Sequence, residues 1–247
     1  MTAEFSTLQL ELVAANQILL HKKVLDAFGH VSFRHPSRPD RFVLARALPP
    51  SVVRIEDLIE FDCDGCAPVV PTTAALYGER FIHGAIYRTR PDVQAICHHH
   101  APAIMPFCIS DRALVPVSQT GASMGAQVPV WDSAEEFGAT NLLVTDSHQA
   151  ESLASKLGEG WVVLMRRHGA CVVGRNLREL VFRAVFTCQD ADAQARAALL
   201  GALTPLSTEE QRLASQLRPA SIDRCWQHWS NQLPDGDARM NAAITRP

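Results

Sequence analysis

The sequence predicts an α/β fold: a central sheet, at least partly antiparallel, with helices on both faces. Three observations lead there. Short β-prone runs and longer runs with helical spacing are mixed without the strict strand–helix–strand rhythm of a parallel sheet. Residues 30–35 (H-V-S-F-R-H) and 41–46 (R-F-V-L-A-R) read as successive strands across the loop P-S-R-P-D. Residues 161–174 read as two strands meeting at His168–Gly169, ahead of a long helix with a continuous apolar face.

The remaining elements follow in order. Residues 7–28 carry apolar positions at helical spacing from Leu8 to Phe28, with Gly29 as the stop signal. A third strand pair is expected over 58–70, around an Asp64–Gly65 hairpin turn. Glu79 opens a helix that runs to Arg88 and ends at T-R-P-D, and V-Q-A-I-C-H-H-H follows as a short strand. Residues 102–110 form a short helix, 128–132 a strand, and 147–157 a helix with Ser147 as its cap. Asn176 caps the long helix, which stops at Gly201. Residues 1–201 are expected to be the catalytic domain. Residues 202–247 are a more polar extension, packed on that domain or on a neighbouring subunit.

The chain has 247 residues, 47% of them hydrophobic and 20% charged, and can bury a substantial core without disulfide or metal staples. Its net charge of −3, with acids and bases interspersed, argues against a nucleic-acid partner. No apolar run approaches the ~20 residues of a membrane helix. The first residues carry acids where a secretion signal needs a basic and then an apolar region. The seven cysteines, an odd number, are expected to be reduced thiols in the cytoplasm. Cys63 and Cys66 form a lone C-x-x-C, which reads as a turn rather than a metal site.

The chemistry concentrates in A-I-C-H-H-H. Alternation along a strand turns His98 and His100 to one face and His99 to the other. Two imidazoles can share one ion, but zinc asks for four ligands, or three and an open position. His168 is a further candidate, since it ends an apolar strand just before a glycine, and Glu79 offers an oxygen. His99 is expected to pack behind the strand, and His21 and His148 to be surface residues.

The composite is more specific than its parts. E-R-F-I-H-G-A-I-Y-R-T-R-P-D-V-Q-A-I-C-H-H-H-A-P, followed downstream by R-H-G-A-C-V-V-G-R-N-L-R-E-L, resembles the class II aldolase/adducin family, and G-H-V-S-F-R resembles that family's early G-N-x-S-x-R segment. The likeness covers roughly residues 8–200. It implies a three-layer α/β/α domain around a mixed, largely antiparallel sheet. It also implies a homotetramer with sites at subunit interfaces, and a divalent metal on His98, His100 and His168 with Glu79 as ligand, acid–base group or both.

The departures narrow the function. His30 stands where the sugar-phosphate enzymes carry Asn, and L-A-R-A-L-P-P and Leu76-Tyr77-Gly78 replace their phosphate-holding turns. Glycines and small hydroxyls that let backbone amides reach a phosphate are missing. The remaining pattern resembles the branch that decarboxylates hydroxylated aromatic or heteroaromatic acids, of the 3-hydroxy-2-methylpyridine-4,5-dicarboxylate decarboxylase type, or related ring-cleavage keto acids.

That resemblance implies a lyase in which a metal, zinc or manganese with iron or cobalt as alternatives, stabilises an enolate-like state. Glu79 and His30 are the candidates for proton transfer, and His30 is also a substrate-binding candidate. Arg46 is either a clamp for a substrate carboxylate or a strand-end surface arginine. An aldolase acting on a non-phosphorylated hydroxy-keto acid is the alternative, and a non-catalytic adducin-like module a third reading. Trp226, His228 and Trp229 either dock the C-terminal segment or cover a neighbouring subunit's site.

Overall fold

A computed structural model describes residues 3–68 and 75–233. The chain opens with α1 (Ala3–His21), β1 (His30–Arg34), β2 (Arg41–Ala45) and β3 (Leu58–Asp62). Next come α2 (Arg80–Thr89), β4 (Ala95–His99), α3 (Met105–Cys108), β5 (Val130–Trp131), α4 (Ala134–Phe137) and α5 (Ser147–Leu157). The strands β6 (Val162–Met165) and β7 (Gly169–Gly174) precede α6 (Leu177–Ala197), α7 (Thr208–Ala214) and α8 (Pro219–Ser230).

The seven strands form one sheet in the order β3-β2-β1-β4-β7-β6-β5. Every neighbouring pair is antiparallel except β5 with β6. Alternation sorts the side chains between two cores. Val31, Phe33, Ala95, Cys97 and Val172 face α1, α6 and α8, while Phe42, Leu44, Ile96, Val163 and Val173 face α2 and α5. The result is the expected three-layer α/β/α arrangement. Because β4 is central, both faces of its end are covered: His98 falls on the α2 side and His99 on the α1 side, each fully buried.

Several element boundaries differ from the sequence reading. The first helix ends at His21, not at Phe28. Lys23 adopts a left-handed conformation (φ 59°), and the N–H groups of Lys23 and Val24 reach back to the carbonyls of Leu20 and Leu19, closing a Schellman turn without glycine. Of the proposed pair over 58–70, only β3 is a strand among the described residues; 69 and 70 lie outside them. The Asp64–Gly65 turn is present, with Gly65 at φ +77° and the Asp62 carboxylate accepting from the amides of Asp64 and Cys66. Asp146, not Ser147, caps α5, because its extended backbone lets its carboxylate accept from Gln149 N–H. The helix over 102–110 shrinks to Met105–Cys108, the strand over 128–132 to Val130–Trp131, and α6 ends at Ala197.

Residues after 201 are not simply polar. Trp226 and Trp229 of α8 are 1% and 6% exposed and join the core formed by α1 and α6 of the same chain. His228 shares a hydrogen bond with Gln232 on the exposed side. Among the described residues no helix is long and apolar enough to cross a membrane.

Candidate metal centre

The sheet brings together residues far apart in sequence. His30 of β1 is the register partner of His98 of β4. His100 continues the β4 face one step past the strand end. His168 sits in the tight turn between β6 and β7, next to Arg167 at φ 61°. Gly169 then allows the close approach of β4: a Cβ there would lie 2.3 Å from the His99 carbonyl oxygen and 2.9 Å from His100 Cδ2. Glu79 stands at the N-terminal boundary of α2, where it caps nothing and instead turns to the histidines.

Glu79, His98, His100 and His168 each offer one ligand atom, and these atoms lie within 4.8 Å of one another. Glu79 Oε2 is 3.3 Å from His98 Nε2 and 3.6 Å from His168 Nε2, while Glu79 Oε1 accepts from Val144 N–H at 3.0 Å. The outer nitrogens of His98 and His100 are tied down. His98 Nδ1 donates to the Ala170 carbonyl (3.2 Å) and His100 Nδ1 to Asp26 Oδ2 (3.1 Å). These bonds leave the lone pairs of both rings on Nε2, facing inward, the tautomer that metal-bound histidines adopt. The donor set therefore fits a divalent ion: three imidazole nitrogens and one carboxylate oxygen, with outer partners in place for His98 and His100.

The charges agree. Burial alone would raise the Glu79 carboxyl, but the charge and hydrogen bond of His98, with His168 and Val144 N–H, hold it at about 2. Burial would lower His98, yet the adjacent Glu79 carboxylate and Cys171 lift it to about 10. His168 is pressed down to about 4 by burial and by His98. Without an ion, Glu79 and His98 thus hold each other as a buried carboxylate–imidazolium pair.

The cluster closes one end of a cavity of about 630 Å³. Its walls are chiefly apolar: Ala27, Phe28, Ala47, Leu48, Pro49, Leu76, Tyr77 and Leu143, with His30, Glu79, His100 and His168 as the polar floor. No lysine or arginine lines it among the described residues. His30 packs against the Tyr77 ring at 4.5 Å and the His98 ring at 5.2 Å, and Tyr77 hydroxyl donates to the Leu48 carbonyl.

Arg46 is not brought to this cavity. Its Nε donates to Asp57 Oδ1 at 2.8 Å, and its side chain is 41% exposed. Asp57 also accepts from Arg54 N–H, so the pair belongs to the turn before β3. His99 lies on the opposite face, its Nδ1 accepting from Ala101 N–H, and burial lowers it to about 3.

Two contributors escaped the sequence reading. Asp26 was absorbed into an overlong helix, although D-A-F-G carries a turn signal: its Oδ1 accepts from the amides of Phe28 and Gly29. His83, one helical turn after Glu79, was read only as part of a motif, yet it contacts His30 directly.

The structure is thus a three-layer α/β/α domain with a His3Glu cluster able to hold a divalent ion at a strand end and an apolar cavity beside it. Residues 10–194 match the "Class II Aldolase and Adducin N-terminal domain" family, and the chain belongs to that family. It is 33% identical to the decarboxylase tropJ of Talaromyces stipitatus, across 94% of this chain and 96% of that one. It is 30% identical to a 4-hydroxy-3-prenylphenylpyruvate oxygenase/4-hydroxy-3-prenylbenzoate synthase of Streptomyces roseochromogenus, across 76% of this chain and 66% of that one. In three dimensions it is similar to an aldolase II superfamily protein from Pseudomonas syringae, with a TM-score of 0.80, 21% identity and 94% coverage of each chain.

Proposed function

We propose that this chain is a metal-dependent carbon–carbon lyase that decarboxylates a hydroxylated aromatic carboxylic acid or a related ring-cleavage keto acid. The observation that carries the reading is the pairing of the Glu79/His98/His100/His168 cluster with a cavity that, among the described residues, is lined by no lysine or arginine. A phosphorylated sugar would bring two negative charges to walls of leucine, alanine and proline, at a desolvation cost that nothing there offsets. A flat ring with one carboxylate suits them. Three neutral imidazoles, one carboxylate and a divalent ion sum to one positive charge, which matches a monoanion. The decarboxylase relative supports the same choice, and the second relative, an oxygenase and benzoate synthase by name, supports only an aromatic ring in the cavity.

When bound, a divalent ion supplies Lewis acidity toward substrate oxygens as electron density builds up on carbon. The residues supply the rest. His98 and His100 donate their Nδ1 protons to Ala170 and Asp26, which leaves Nε2 as the atom each ring offers to an ion. Glu79, held ionised, serves as a ligand better than as a store of protons. Leu48, Pro49, Leu76 and Tyr77 hold the ring and exclude water. His30, whose Nε2 has no partner among the described residues, is the group we assign to hydrogen-bond the substrate. Zinc and manganese are the ions we assign first, iron and cobalt next. Assembly as a homotetramer belongs to the same proposal, and light scattering checks it.

The aldolase alternative shares the enolate and the ligands, differing in the fragment released. Release of CO2 from ortho-hydroxybenzoates is the expected result for the zinc- or manganese-loaded protein. Pyruvate release from non-phosphorylated hydroxy-keto acids instead would establish the alternative, and neither product from metal-loaded protein would defeat both.

A further inference from the structure

His30 lines the cavity, and its buried Nε2 has no hydrogen-bond partner among the described residues. Behind it runs a row of buried polar groups. His30 Nδ1 lies 2.7 Å from His83 Nε2, His83 Nδ1 lies 2.7 Å from Ser32 Oγ, and Ser32 Oγ lies 2.8 Å from the Tyr87 hydroxyl. His83 and Ser32 are 0% exposed and Tyr87 1%. The row passes from β1 to α2 and stops at Tyr87, whose ring packs against Phe42.

Counting protons gives the row a direction. Burial raises the Tyr87 phenol and keeps its proton on, and Ser32 Oγ is the hydroxyl's one partner among the described residues. Leaving a buried O–H without an acceptor costs about 1–3 kcal/mol, so Tyr87 donates to Ser32. The single Ser32 proton then goes to His83 Nδ1. Burial keeps His83 neutral, at about 3, and a neutral imidazole that accepts at Nδ1 carries its proton on Nε2. His83 therefore donates to His30 Nδ1. With Nδ1 accepting from His83, the His30 ring carries its own proton on Nε2. The opposite direction would strand the Tyr87 proton with no acceptor.

We propose that His83, oriented by Ser32 and Tyr87, is a positioning residue that fixes His30 as an N–H donor facing the cavity. His30 in this form hydrogen-bonds a substrate oxygen as negative charge grows there. A general base at the same place would need the other tautomer. The inference rests on the lyase reading for what is bound in the cavity, but the tautomer itself does not.

The test uses two-bond 1H–15N spectra of histidine-labelled, zinc-loaded protein, which distinguish Nε2–H from Nδ1–H without substrate. The expected result is His30 in the Nε2–H form in wild type and a mixture of both forms in His83→Met and in Ser32→Ala. Decarboxylation kcat should then fall about tenfold in both variants, with KM and bound zinc changed less than twofold. His83→Gln, whose amide nitrogen can still donate to His30 Nδ1, should recover most of the rate. A wild-type His30 protonated on Nδ1 would overturn the proposal, as would an Nε2–H form unmoved by either variant. Ser32→Ala is the smaller change and carries the test if His83→Met does not fold. A wild type that turns over no substrate defeats the lyase reading and leaves the spectroscopic result to stand or fall separately.

Discussion

The Nε2 atoms of His98 and His100 lie 3.0 Å apart, although each ring already donates its Nδ1 proton to an oxygen. Two neutral rings in this arrangement would aim lone pairs at each other. A proton resolves the conflict in the metal-free protein, and a divalent ion resolves it better.

The purified protein should accordingly hold about one divalent ion per chain by elemental analysis. Stripping it with a chelator should lower the melting temperature, and adding zinc or manganese at a thousand times Kd should restore about 4 kcal/mol. His98→Ala should lose both the ion and this response. A metal-free wild type whose melting temperature ignores both ions would remove the basis for the centre.

Loading the ion should also release a proton. The metal-free His98 titrates near 10, so at neutral pH it is protonated and must give up that proton to bind. Affinity should therefore weaken as pH falls, with about one proton released per ion near pH 7, measurable by calorimetry in buffers of different ionisation enthalpy. In the metal-free protein the raised His98 stabilises below about 6.5 and loses that contribution as pH climbs toward 10. The lowered Glu79 stabilises above about 4.5 and loses its contribution as pH falls toward 2. The pair's support is thus complete between those limits, and Glu79→Gln should erase its pH dependence.

Asp26→Ala should weaken metal binding by about 10–100-fold, because His100 loses the carboxylate that fixes its tautomer. Competition with a coloured chelator measures this directly. Asp26→Asn, which keeps an acceptor for Phe28 and Gly29 N–H, should fold better than the alanine variant. Equal metal affinity in all three proteins would show that the His100–Asp26 contact does not tune the centre.

Arg46→Ala should leave KM within twofold and cost no more than about 1 kcal/mol, since its partner is Asp57 and the pair is partly solvated. A tenfold rise in KM would instead return Arg46 to the substrate.

What the sequence made legible was what local patterns encode. Alternation in A-I-C-H-H-H separates His98 from His99, and the apolar run before His168 marks a strand end, so His98, His100 and His168 stand out as candidate ligands from pattern. The stop of α1 was not legible, because a lysine in the left-handed region leaves no compositional mark. That error hid Asp26. The His30–His83 contact depends on the β1–β4 register and on how α2 lies over the sheet, both long-range outcomes of packing. Arg46 shows the reverse: a charge at a strand end looks functional until its partner, eleven residues along, is in view.

The centre and its walls come from different parts of the fold. The three histidines stand at or just past the end of β4 and in the β6–β7 turn, brought together at Gly169, whereas the apolar walls come from the segments around Phe28, Leu48, Leu76 and Leu143. Substitutions at the wall side chains can reshape the chamber as long as their neighbours Asp26, Glu79 and the Val144 amide keep their contacts. Such a division makes the scaffold easy to retool: new specificities can arise by trading wall residues while the reactive core is inherited intact.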